Sequence, residues 1–140
     1  MKGQYLTIEY LLFFTIGIIM IISVYYIFSN LNQEYEKATT EYQLQMTGHM
    51  IIGSIIRIFE TSNSTNSEVR YNLSIPTKLS NCIYHITNRD GFLVLECTEI
   101  RGISANLTLY SFNIKIKNNI IYSTDGLLEI VAKNGEIDLI

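Results

Sequence analysis

Tryptophan is absent from this chain, proline occurs once, at Pro76, and the only cysteines are Cys82 and Cys97. Two thiols exclude a disulfide-dense scaffold, so buried apolar surface has to carry the fold. Zinc is not expected either, because no second pair of ligands accompanies them. Everything before Pro76 is free of the strongest helix breaker. Runs of Lys or Arg are missing too, and the formal charge of −3 is spread over 140 residues. Nucleic acid therefore has no electrostatic footing. No internal repeat is visible. GxSxG, HExxH and phosphate-binding glycine loops are all absent. His49 and His85 stand alone, without an Asp or Glu at a recognisable motif spacing. Neither an enzyme nor a bound cofactor or metal is expected.

What the chain does have is one long apolar run. No charged residue occurs between Tyr10 and Gln33, and the strongly apolar stretch Tyr10 to Phe28 is 19 residues long. As a helix it would measure roughly 28 Å, enough to cross a hydrocarbon layer of about 30 Å. A cleaved secretory signal would be shorter and followed by small residues, whereas Ile27-Phe28-Ser29-Asn30 follows here. A buried core helix would need more covering surface than the remaining residues provide. A plain signal anchor fits by length alone. It does not account for Glu9, a carboxylate placed one residue before the apolar run, where charge is costly. Glu9 either complements a helix N-terminus or meets a cation supplied by a partner.

Lys2-Gly3-Gln4, Thr7 and Glu9, ahead of an uninterrupted apolar helix, resemble the type III signal peptide of type IV pilins, in particular the archaeal class with Gln-x-Ser-x-Glu. The spacing departs by one, since Glu9 lies five residues after Gln4. The resemblance covers about the first 30 residues. It implies a prepilin peptidase that cuts around Gly3, Gln4 and Tyr5, after Gly3 or after Gln4, and leaves the helix attached. It further implies that Thr7 and Glu9 serve assembly, and that many copies bundle their helices into the core of a homo-oligomeric filament.

The helical period continues beyond the apolar run. Tyr35, Ala38, Tyr42, Met46 and Met50 recur at three- and four-residue spacing, and Gly53 with Ile55 or Ile56 extends the stripe. Ile51, Ile52, Ile55, Ile56, Ile58 and Phe59 then broaden it, as a helix does where it sinks into a domain. One helix over 5–60 is expected, bent near Ser29-Asn30 or Gly48, or alternatively two helices joined at Asn30-Leu31-Asn32. The small polar residues of 61–67 read as a linker.

From 68 to 140 the period changes to two. Val69, Tyr71, Leu73 and Ile75 alternate with polar residues. Further strands are expected at about 81–87, 92–100, 103–117, 120–123, 127–133 and 136–140. The 103–117 segment changes phase near Tyr110, which marks a bulge or bend. Asn134-Gly135 is a type I′ signal that pairs Ala132 with Ile137 and Ile130 with Leu139. Asn118-Asn119 and Thr124-Asp125-Gly126 are weaker turns. A two-residue loop at Arg89-Asp90 would pair Cys82 with Cys97, Tyr84 with Leu95 and Ile86 with Leu93. That register favours a cross-strand disulfide in an oxidising exterior, with two free buried thiols as the alternative. Asn63, Asn72 and Asn106 each head an Asn-x-Ser/Thr sequon, and Asn63 is the preferred acceptor because it falls in the polar linker.

The expected fold is α+β. Residues 1–4 form a leader, and a long N-terminal hydrophobic α-helix spans a membrane at about 10–28. An antiparallel β-sheet or small β-sandwich follows outside the membrane. The expected function is a major or minor subunit of an archaeal pilus-like surface filament. The alternative is a non-polymerising anchored component of a pilus or archaellum machine, or a lone surface-binding domain.

Overall fold

Residues 2–109, 114–117 and 119–140 are described by a computed structural model. The first element, α1, is a helix from Lys2 to Thr65. It is continuous in secondary structure through Asn30-Leu31-Asn32 and through Gly48, so the two-helix alternative is not observed. Two compact units form, Met1–Glu36 and Lys37–Ile140. The first consists of α1 alone.

The helix also runs through most of the segment expected as a linker. Serine and threonine break helices when their hydroxyls capture nearby backbone groups in other conformations. Here they bond backward along the helix instead, with Thr61 donating to the Arg57 carbonyl at 2.8 Å and Thr65 to the Thr61 carbonyl at 2.8 Å. Ser62 is buried, and its hydroxyl lies 2.7 Å from the Ser67 carbonyl and 3.3 Å from that of Ala132. Asn66 then takes a left-handed φ of 48°, and the Ser67 amide reaches back to the Ser62 carbonyl at 3.3 Å. This closes the helix in the manner of a Schellman cap. The linker therefore shrinks to the few residues before β1.

Among the described residues eight strands follow: β1 Val69–Ser74, β2 Tyr84–Arg89, β3 Phe92–Cys97, β4 Ser104–Thr108, β5 Lys115–Ile116, β6 Ile120–Tyr122, β7 Leu127–Lys133 and β8 Glu136–Leu139. They form two four-stranded sheets in the orders β1-β7-β8-β5 and β4-β3-β2-β6. Every pairing is antiparallel except β5 with β8. The Asn134-Gly135 turn has φ of 51° and 81° and sets the expected register, Ala132 against Ile137 and Ile130 against Leu139. The segment 103–117 is not one strand. Its first half, β4, belongs to the second sheet and its second half, β5, to the first. The change of phase in the sequence marks a crossing between sheets, since Ala105 and Leu107 are buried on odd numbers and Ile116 on an even one. The bend expected at Tyr110 and the turn residue Asn118 lie outside the described residues.

The β2–β3 hairpin corrects the expected register. Its loop is Asp90-Gly91, with φ of 54° and 82°, rather than Arg89-Asp90. Glycine tolerates the second positive φ at no steric cost, so the turn settles one residue later. Each partner consequently moves by two: Tyr84 faces Cys97 and Ile86 faces Leu95. A shift of two preserves the buried face. Cys82 then lies beyond the end of β2, bridged to Leu79. It still bonds to Cys97, with a Cα–Cα distance of 5.8 Å. The disulfide is present, but it closes the open end of the hairpin instead of joining directly opposed residues.

The core of the second unit combines the inner faces of both sheets with one face of α1. That face is Thr40, Leu44, Thr47, Gly48, Ile51, Ile55, Ile58 and Ser62. Gly48 is there because a Cβ at this position would collide with the Leu107 side chain and crowd that of Leu95. Tyr84 is fully buried, and its hydroxyl donates to the Pro76 carbonyl at 2.8 Å. Burial raises the phenol from 10.0 to about 12. The unfolded chain loses this proton first, so the stability it contributes is complete below pH 10 and lost as pH rises toward 12. The stability gap between wild type and Tyr84→Phe is accordingly expected to narrow across that window in urea melts. A constant gap would refute this account.

Candidate assembly face

The face of α1 that the sequence marks as its main apolar stripe is not the face that packs. Tyr42 is 58% exposed, Met46 52% and Met50 42%, and Ala38 and Gly53 are exposed as well. The packed residues lie on the other side of the helix. The reason is distance. A helix lying close against two sheets needs small side chains at the contact, and Thr40, Thr47, Gly48 and Ser62 supply them. The large residues divide between the two sides: Leu44, Ile51, Ile55 and Ile58 enter the core, whereas Tyr42, Met46 and Met50 point away from it. The usable signal was the Leu44, Ile51, Ile55 and Ile58 spacing, with small residues between.

The second unit therefore carries a core face on one side of α1 and an exposed apolar stripe on the other. Apolar side chains aligned on one exposed helix face form a surface on which a partner could pack. In the first unit, the apolar residues from Tyr10 to Phe28 are nearly all exposed. None of the most apolar 18-residue window of α1 is buried within the molecule. The chain thus presents a helix long and apolar enough to cross a membrane, available for anchoring it there.

Gly3, Gln4 and Tyr5 lie in the opening turns of α1. Thr7 and Glu9 follow and are exposed. The first turn of the helix holds no acidic residue, which places Glu9 beyond the reach of the strongest helix-dipole effect. Of the sequon residues, Asn72 is exposed on β1 and Asn106 on β4. Asn63 is exposed too, but within the last turns of α1 rather than in a loop.

His49 is exposed on α1. His85 lies on β2 opposite Glu96, with Nε2 3.5 Å from the carboxylate and the ring tilted against Tyr122 at 6.1 Å. Its Nδ1 is buried and makes no hydrogen bond among the described residues. The corrected hairpin register is what brings Glu96 to it, so this pair could not be seen from motif spacing.

The outer face of the first sheet is a grid of ion pairs. Glu68 meets Arg70 at 2.8 Å and Lys133 at 3.0 Å, and Lys117 meets Asp138 at 2.8 Å. Hydrogen bonds from Lys133 and then Arg70 hold the Glu68 carboxyl below its usual range. Exposed pairs of this kind contribute little to stability. They make the face hydrophilic and leave these cations already partnered. No family model, no curated protein and no solved structure was found to match this chain.

Proposed function

We propose that this chain is a structural subunit, major or minor, of a pilus-like surface filament of the type its N-terminal residues resemble. One observation carries the reading: the exposed stripe Tyr42, Met46, Met50 and Gly53, on the side of α1 away from its own domain. A plain anchor needs an apolar surface only across the membrane. A subunit whose helix packs among helices needs one beyond it, and Met, Tyr and Gly suit close contact between irregular surfaces. In this reading a prepilin peptidase trims the segment before Tyr5 or Gln4, the helices bundle in the filament core, and the β domain faces outward. The domain's role is to provide surface, with Asn63, Asn72 and Asn106 as glycan acceptors, and the chain carries out no catalysis.

The double variant Met46→Ser/Met50→Ser tests this. Both side chains are exposed, so the melting transition of the domain should move by no more than about 0.5 kcal/mol. Filament yield in electron micrographs should fall by about fivefold or more. Undiminished filaments would remove the reading's main support. A wild-type chain that stays membrane-bound and never polymerises would return it to an anchored, non-polymerising component.

A further inference from the structure

Beside the C-terminal half of α1 runs a groove formed by two adjoining depressions that share Ser54 and Arg57, of about 260 and about 270 Å3. The first lies between the helix and β1, whose outer edge pairs with no strand among the described residues, and the second continues it along the helix alone. Arg57 is exposed and, unlike Arg70, Lys117 and Lys133, makes no ion pair among the described residues. Next to it lie Ile58, Val69 and Tyr71. Tyr71 shares the inward parity of Leu73, yet stays 48% exposed. The groove is thus a free cation beside a partly apolar slot.

The same chain carries the complement. Glu41 is exposed and makes no ion pair among the described residues, and Tyr42 follows it, also exposed. The Glu-Tyr step at this position repeats the one at Glu34-Tyr35. Glu41 cannot reach Arg57 of its own chain, because about 24 Å of helix separates them at 1.5 Å per residue. We propose that Glu41 and Tyr42 of a second copy dock in this groove, the carboxylate on Arg57 and the phenol ring against Ile58, Val69 and Tyr71. Charge complementarity selects a copy of this chain as the occupant. Glu34, Glu36 and Glu41 outnumber the one cation of their segment, Lys37, whereas the groove offers Arg57 without a partner. The contact rests on the filament reading and adds a register to it. With parallel helices, a Glu41–Arg57 pair fixes the stagger between neighbouring subunits at about 24 Å.

Charge reversal and its compensation give the test, using the full-length chain and scoring filament yield together with self-association in lipid nanodiscs. Arg57→Glu and Glu41→Arg are each expected to lower assembly about tenfold or more. The combination of the two should recover it to within about twofold of wild type. Single variants that assemble like wild type would overturn the contact, as would a folded double variant that fails to recover. If the double variant melts early, Arg57→Gln and Glu41→Gln replace it in a double-mutant cycle, where coupled losses support the pairing and additive losses reject it. Wild-type chains that polymerise while ignoring all these changes would remove this contact and spare the filament reading. Wild-type chains that never associate would remove both.

Discussion

Breaking the Cys82–Cys97 bridge is expected to destabilise the β domain by about 2–4 kcal/mol. The two residues are 15 apart in sequence, and closing a loop of that size restricts the unfolded chain by about 3 kcal/mol at room temperature. Cys82 and Cys97 are both buried, so Cys82→Ala/Cys97→Ala adds a packing defect to the lost cross-link. A domain of this size has only about 5–15 kcal/mol in total. Its midpoint should therefore fall by roughly 10–25 °C. The bridge matters here because of its position. Cys82 lies outside the regular ladder, held otherwise by one isolated bridge to Leu79, and the disulfide ties this segment to the end of β3. Mass spectrometry without reduction should find the two peptides joined within one chain. Equal urea midpoints with and without reductant would refute the stabilisation, and complete alkylation of both thiols in unreduced, unfolded protein would reject the bridge itself.

The hairpin illustrates how far the sequence could be read. Alternation gave the buried face of β2 and β3 correctly, because Tyr84, Ile86, Leu93 and Leu95 are buried in either register. It could not choose between loops differing by one residue on both sides, since both keep that face inward. The choice lay with Asp90-Gly91 and its two positive φ angles. The helix illustrates the opposite case. Its existence and apolar length were plain, and so was the part of its inner face at Ile51, Ile55 and Ile58, but the earlier part was not, because there the contact uses Thr40, Leu44, Thr47 and Gly48. Of the expected stripe, Tyr42, Met46, Met50 and Gly53 are left exposed. That division separates two roles that a single apolar face would have merged: folding uses one side of α1, and the other remains available to a partner.

Replacing Glu9 by Gln is expected to leave membrane insertion, leader removal and domain folding unchanged while reducing filament yield by about tenfold or more. Glu9 is exposed on a helix that begins at Lys2, so it lies past the first turn, where the dipole effect has largely decayed. Cutting after Gly3 or Gln4 would still leave Glu9 beyond the opening turn. Capping therefore gives little reason for a carboxylate at the mouth of so apolar a segment. A partner cation gives a better one. Under the proposed filament reading, cleavage by the peptidase would create a new α-amine on the polar side of the helix, and in a bundle that amine would meet Glu9 of a neighbouring copy. Either charge alone in an apolar core is costly, and together they offset each other. Processing and assembly would thus depend on one contact, because an uncut chain has no amine at that place. Glu9→Gln keeps the size and polarity of the side chain and removes only its charge. Intact mass should confirm cleavage in the variant, and a melt of the β domain should match wild type. With both controls met, a normal filament yield would count against the pairing and weaken the filament reading with it.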